Sequence, residues 1–205
     1  MGNINLHLGD CMEAMRAMED NAFDLAIVDP PYGIGHSLLS GENRGSKFIR
    51  TERHVDWDIL PTEDYFNQLF RVSKDQIIWG SNYFNLPTTR CNIIWDKMQE
   101  FSGADFELAW TSFDKSSKAF RMSRVEAYAN GKIHPTQKPV ALYKWLLHNY
   151  AKEGDKILDT HGGSMSIAIA CHDMGFDLDL WELDSEYYQK GVERFNQHKA
   201  QLRMF

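Results

Sequence analysis

The tetrapeptide Asp29-Pro30-Pro31-Tyr32 sets a carboxylate, a proline-held backbone carbonyl and an aromatic ring side by side, directly after the apolar run Phe23 to Val28. Two prolines can neither continue a central ladder nor begin a helix comfortably, so the run stops there and the three groups stand on a stiff strand end. An exocyclic amino group conjugated into a heteroaromatic ring is a poor nucleophile because its lone pair is delocalised. Two acceptors that take its two hydrogens favour a pyramidal nitrogen able to attack, and Asp29 with the Pro30 carbonyl would supply them. Tyr32 would hold a flipped base by stacking, a contact worth about 1 to 3 kcal/mol. The bland alternative is a stiff turn with a packed ring.

A second constellation lies far along the chain. Leu158-Asp159 leads through Thr160 and His161 to the turn Gly162-Gly163-Ser164, and Glu182 closes the following strand 19 residues beyond Gly163. That is close to the spacing at which an acidic group reaches ribose hydroxyls in nucleotide-binding sheets. The turn lacks the third glycine of GxGxxG, so a dinucleotide dehydrogenase fits poorly. Asp10 marks another strand end of the same kind.

The elements that must position these groups follow from periodicity. Ile4, Leu6 and Leu8 alternate as a strand; Asp10 then stands as an N-cap with Glu13 at N3, ahead of a helix carrying Cys11, Met15 and Met18. Phe23 to Val28 is a buried strand. Thr62 caps a helix with Phe66, Leu69, Phe70 and Ser73 on one face; Gln76 to Trp79, Asn92 to Trp95 and Phe106 to Ser112 read as strands. Pro139 suits the first position of a helix whose stripe is Tyr143, Leu146, Leu147 and Tyr150. Lys156 to Leu158 is a strand. Ile167, Ala170, Cys171 and Met174 form a helical face closed by Gly175, Leu178 to Leu183 is a strand, and Ser185 caps a last helix through Phe195. The alternation predicts an α/β, doubly wound, mostly parallel sheet of about seven strands, whose ligands collect at the strands' carboxyl ends. Two stretches fall outside this pattern. Residues 33–58 hold four glycines with Arg44, Lys47, Arg50 and Arg53 and predict a long mobile loop; residues 113–133 are polar and basic, with Lys118, Arg121 and Arg124.

Size and composition bound the possibilities. The 205 residues suit one domain, 1–205, with 43% hydrophobic and 25% charged residues, ordinary globular usage. No apolar run approaches a membrane span and no secretory leader is evident at the start, so a cytoplasmic site of action is expected. Cys11, Cys91 and Cys171 are far apart and lack metal-ligand spacing, and the eight histidines are scattered; core thiols and no metal are expected. A net charge of −7 means that contact with a polyanion would rest on local basic patches, such as Arg44, Lys47, Arg50, Arg53, Lys118, Arg121 and Arg124.

Asp29 to Tyr32 after a strand, His134-Pro135-Thr136-Gln137-Lys138-Pro139 before a helix, and Leu158-Asp159 leading to Gly163-Ser164 together resemble the DNA amino-methyltransferases that use S-adenosylmethionine. With the amine-binding motif first and the glycine turn near the C-terminus, the order is that of the permuted beta group. The likeness runs from Leu8-Gly9-Asp10-Cys11 to Trp181-Glu182-Leu183-Asp184, and Ile78 to Tyr83 and Trp95 to Lys97 also look like family signatures. It implies a permuted Rossmann-like methyltransferase fold with a small recognition segment at 113–133. It implies that Asp29, Pro30, Pro31 and Tyr32 handle the target amine. Asp10 and the backbone of Cys11 would read the donor's adenine, Glu182 its ribose, and Asp159, His161, Gly163 and Ser164 its methionine end, with Thr136 and Lys138 near the carboxylate. The implied reaction is site-specific methylation of adenine N6 in DNA. A cytosine-N4 enzyme, a catalytically silent binding module on the same fold, and an RNA or protein amine substrate stay open. A homodimer and a partner restriction endonuclease are further implications of the likeness. The family turn reads roughly Asp-Pro-Phe, a variable residue, Gly-Ser-Gly; here Thr160, His161 and Met165 stand at the Pro, Phe and final Gly positions, which asks for negative φ at Met165.

Overall fold

The computed structural model describes residues 2–34, 58–99, 104–129 and 131–202. In chain order the elements are β1 (Ile4–Leu8), α1 (Cys11–Ala17), β2 (Phe23–Val28), α2 (Glu63–Val72), β3 (Ser73–Trp79), a 3-10 turn (Ser81–Tyr83), β4 (Asn92–Asp96), β5 (Phe106–Thr111), β6 (Lys118–Arg121), α3 (Arg124–Ala127), α4 (Val140–Tyr150), β7 (Lys156–Asp159), α5 (Ser166–Met174), β8 (Asp177–Glu182) and α6 (Ser185–Leu202). The strands form one eight-stranded sheet in the order β1-β8-β7-β2-β3-β5-β4-β6. The block β1-β8-β7-β2-β3 is parallel throughout; β5 alone runs against its neighbours β3 and β4, and β6 pairs parallel with β4.

Alternation along the central strands sends side chains to two cores. Leu25 and Ile27 of β2, with Ile77 and Trp79 of β3, face α4, α5 and α6, whereas Ala26 and Val28, with Ile78, face α1 and α2. Helices on both faces are what a parallel sheet with near-continuous apolar strands requires. No helix among the described residues is long and apolar enough to cross a membrane.

Several boundaries differ from the sequence expectation for physical reasons. The eighth strand, β6, lies inside the segment read as a polar connection; its Lys118 and Ala119 are exposed, so an edge strand of this kind carries no hydrophobic signature. Pro139 is the cap of α4 rather than its first residue. The last helix is capped by Asp184, whose Oδ1 accepts from the backbone N–H of Glu186 (2.8 Å) and Tyr187 (3.0 Å), and it runs beyond Phe195 to Leu202. Ser73 belongs to β3, its hydroxyl donating to the Leu69 carbonyl, and the buried face of α2 is Tyr65, Leu69 and Val72. Met174, expected on the buried face of α5, is 37% exposed in the last turn. Asp10 and Thr62 cap α1 and α2 as their positions suggest.

Candidate active site

Because β1, β8, β7, β2 and β3 all point the same way, Asp10, Glu182, Asp159, Asp29 and Gly80 arrive at one edge of the sheet. A single cleft of about 740 Å³ runs along it. Asp29 and Pro31 line one part; Asp10, Cys11, Thr136, Lys138, His161, Gly163, Ser164 and Glu182 line the rest. Pro30 is buried, and Asp159 sits below the surface at 2% exposure.

Asp29 is gripped on both oxygens. Oδ1 accepts from the Tyr32 hydroxyl (2.5 Å), and Oδ2 is paired with the Lys138 ammonium. Tyr32 is packed for this: its ring stacks on Tyr83 with centroids 4.9 Å apart, and it lies so close to Gly80 that a Cβ there would stand 2.1 Å from Cε1. Gly80 also has φ +74°, so glycine is required twice over. Tyr32 thus orients Asp29, beyond the stacking role expected of it.

Lys138, expected near the donor's carboxylate, lines the cleft and is itself held by two acids. At 2% exposure its ammonium pairs with Asp29 and with Glu107 Oε2 (3.1 Å), and it lies 5.1 Å from the centre of the Trp79 ring. Glu107 is bound in turn through Oε1 to Lys97 (2.8 Å). Burial works against the Lys138 charge, but the two carboxylates more than offset it and raise its pKa. Burial likewise opposes ionisation of Glu107, yet the Lys138 and Lys97 ammonium groups outweigh it and hold the carboxyl at about 2. Burial pushes Asp29 upward against the pull of Lys138. The loop carrying Lys138 is pinned by Gln137, whose Oε1 accepts from the Ile133 N–H (3.0 Å) and whose carbonyl accepts from the Tyr128 hydroxyl (2.7 Å).

Glu107 and Lys97 went unassigned in the sequence. The available signal was direction: β5 is antiparallel, so its beginning, not its end, reaches the active edge. Lys97 follows β4 within the Trp95-Asp96-Lys97 signature.

At the opposite part of the cleft Glu182 accepts from the backbone N–H of Gly163 (2.7 Å) and of Asp184 (2.8 Å), fixing the glycine turn to the end of β8. Asp10 spends Oδ1 on the Met12 N–H (2.8 Å). Asp159 accepts from the His161 N–H (2.9 Å), and burial lifts its pKa to about 8. His161 is held neutral, its pKa lowered by burial to about 4, and its Nδ1 lies 2.9 Å from the Thr160 hydroxyl, which also meets the Tyr65 hydroxyl at 2.7 Å. Thr136 contacts His134 Nδ1 through its hydroxyl (3.1 Å). Met165 overturns the expectation of negative φ: it has φ +56° and is fully buried at the start of α5. Gly191 of α6 makes room for it, since a Cβ there would lie 2.8 Å from Met165 Cγ. Arg194 donates to the Ser164 carbonyl (2.7 Å) and to the Ser166 hydroxyl (3.0 Å), so α6 braces the turn from behind.

Of the basic residues read as polyanion contacts, Arg44, Lys47, Arg50 and Arg53 lie outside the described residues. Arg121 ends β6 at the active edge, exposed and paired with Asp96 (3.2 Å); Arg124 begins α3 beside it, exposed; Lys118 begins β6, farther from that edge. The three cysteines are buried and free. Away from the cleft, His172, Asp173 and His198 cluster between α5 and α6, the one such His, Cys, Asp or Glu group among the described residues. Asp173 there accepts from His198 (2.7 Å) and pairs through its other oxygen with Lys144 (2.7 Å), a clamp joining three helices.

Comparison with known proteins agrees with this architecture. Residues 110–193 match the N6_N4_Mtase family model, described as DNA methylase. The chain is 25% identical over 209 residues to YubD of Escherichia coli (strain K12), whose name marks it as a candidate methylase, covering 91% of this chain and 87% of that protein. It is 24% identical over 218 residues to the type II methyltransferase M2.MboI of Moraxella bovis, covering 82% and 78%. Among solved structures, the M1.HpyAVI–SAM complex superposes with a TM-score of 0.58 at 20% identity, covering 93% of this chain and 99% of that one. The cytosine-N4-specific PvuII DNA methyltransferase gives 0.62 at 13% identity, covering 97% and 92%. Those two likenesses speak to the fold, and the matched segment likens residues 110–193 to the DNA methylases of that family model.

Proposed function

We propose that the protein transfers a methyl group from S-adenosylmethionine to N6 of an adenine flipped out of DNA. The observation that supports this most directly is the continuity of the cleft: the Asp29 strand end and the Gly163 to Glu182 edge share one cavity, so an amine bound at the first faces a donor bound at the second.

The donor set suits a nucleoside that carries a positive charge. Among the described residues Asp10, Asp29, Glu182 and Asp184 line the cleft, while the one lysine that lines it, Lys138, is already committed to two carboxylates. A volume of about 740 Å³ is ample for such a molecule. When bound, the donor supplies an electrophilic methyl on a cationic sulfur. Glu182 uses one lone pair on each oxygen for backbone N–H groups, which leaves acceptors for ribose hydroxyls. Asp10 keeps Oδ2, and the glycine turn offers a close backbone approach. On the opposite side Asp29, oriented by Tyr32 and Lys138, accepts a hydrogen of the target amine. As the nitrogen lone pair would bond to the methyl carbon, the carbon–sulfur bond would break with its electron pair returning to sulfur; the nitrogen gains positive charge, which a carboxylate already in place stabilises without reorganisation, and then sheds one proton to Asp29. The ring of Tyr83, 43% exposed, stacks on Tyr32 and so helps to hold the hydroxyl that orients Asp29. Extrusion costs a few kcal/mol.

Transfer of a labelled methyl group to DNA, followed by nucleoside analysis, tests the reading. N6-methyladenine is expected, and Asp29→Ala should lower the rate by about 100-fold or more. An aspartate at position 29 favours adenine within the resemblance; label recovered as N4-methylcytosine would reassign the base. Label found only in RNA or protein, or equal labelling by Asp29→Ala, would overturn the proposal.

A further inference from the structure

Four charges alternate beneath the Asp29 end of the cleft: Lys97, Glu107, Lys138 and Asp29. Lys97 and Lys138 are 9% and 2% exposed, and the Asp29 side chain 11%. Of the four, Asp29 and Lys138 line the cleft; Glu107 does not, and among the described residues its ion pairs are with Lys138 and Lys97. A row of this kind is costly to bury, and the part beyond Lys138 adds nothing to the grip on Asp29, which an isolated Lys138 would hold more tightly.

We infer that Glu107 is a positioning residue for amine methylation: by drawing the Lys138 ammonium between two carboxylates it leaves Asp29 with negative charge to spare for the target amine. The inference rests on the methyl-transfer reading above. Its physical basis is charge balance. With Lys97 and Lys138 positive and Glu107 and Asp29 negative, the row is neutral, and the cation that develops on the attacked nitrogen meets no net repulsion. Replacing Glu107 by a neutral isostere leaves the row at +1, hands Lys138 wholly to Asp29, and opposes that developing charge in a region shielded from water. Lys97 holds the other oxygen of Glu107 and so fixes how far Lys138 is drawn.

The test is Glu107→Gln, alone and combined with Lys97→Gln, in the full chain. The single variant should lose about tenfold or more in kcat with KM for S-adenosylmethionine within about twofold of the parent. The double variant restores neutrality and should recover most of that loss, whereas a merely structural role makes the double variant worse than the single one. A second measurement needs no turnover: 13C titration of the Asp29 carboxyl. The groups facing Asp29 are Lys138, Tyr32, Glu107, Asp159 at the end of β7, and, among the described residues, the phenols Tyr65 of α2, Tyr128 after α3 and Tyr143 of α4. Removing the Glu107 charge takes one repulsive carboxylate from that set, so the Asp29 midpoint should move to lower pH. An unchanged kcat in Glu107→Gln, a double variant slower than the single, or an Asp29 midpoint that stays or rises would each overturn the inference. A protein that methylates nothing while the midpoint moves down would sink the methyl-transfer reading and leave the charge coupling standing.

Discussion

Asp159 and His161, two residues apart in the glycine turn, are both buried in the neutral form and make opposite demands on pH. A carboxyl raised from 3.8 to about 8 contributes fully at low pH and destabilises the fold as pH rises through that interval. A histidine lowered from 6.5 to about 4 contributes above the upper value, and its contribution is lost as pH falls toward the lower one. Asp159→Asn preserves an acceptor for the His161 N–H, so between pH 5 and pH 9 its melting temperature should fall less than that of the parent, by roughly 5 °C. His161→Phe should flatten the acid side of the same curve. Calorimetry across pH checks both, and equal slopes in parent and Asp159→Asn would show that Asp159 is ionised throughout. Which acids and turn residues share the cleft was legible at this scale, since Asp10, Asp29, His161, Gly163 and Glu182 all line it. The ion pairing of Lys138 was not, because it depends on Glu107, which lies 31 residues earlier and comes from a strand whose direction periodicity cannot reveal.

At the level of elements, the turn between β7 and α5 is set by packing against α6 as much as by its own glycines. Met165 occupies a left-handed conformation that disfavours any residue with a Cβ, at a cost of about 1 kcal/mol or more. The burial of its side chain against Gly191 offsets that. Gly191→Ala should therefore cost about 1 to 3 kcal/mol in the parent and clearly less when combined with Met165→Ala, a coupling that a denaturation double-mutant cycle measures. Additive effects would mean that the two positions do not touch. This pairing was invisible in sequence because 26 residues separate the partners and no spacing rule links a turn residue to a glycine in a later helix. Strong periodicity and capping made β1, β2 and α4 readable nearly to the residue, whereas of α2 the cap at Thr62 was readable and the buried face was not. The edge strand β6 escaped because one exposed side of a sheet's last strand leaves too few apolar positions to register.

For the whole molecule, the acidic balance of −7 means that any DNA contact rests on local basic groups. At the active edge β6 and α3 place Arg121 and Arg124, both exposed. On the proposed reading Arg124→Ala should weaken binding to all DNA sequences alike and reduce the slope of log affinity against log salt by about 1. Lys118→Ala, set back from the edge, should do less. Equal effects from the two would place the duplex along β6 rather than at its end. Assembly of the sheet carries its own consequence. The first strand finds its sole neighbour in the last one, so β1 waits for β8 before Asp10 and Glu182 can stand on a common rim. On the proposed reading, the Asp29 side of the cleft is translated early, whereas the Asp10–Glu182 rim is finished only when β8 has emerged. A chain lacking β8 would then be expected to lose S-adenosylmethionine binding, because β1 has no parallel partner to hold Asp10 in place.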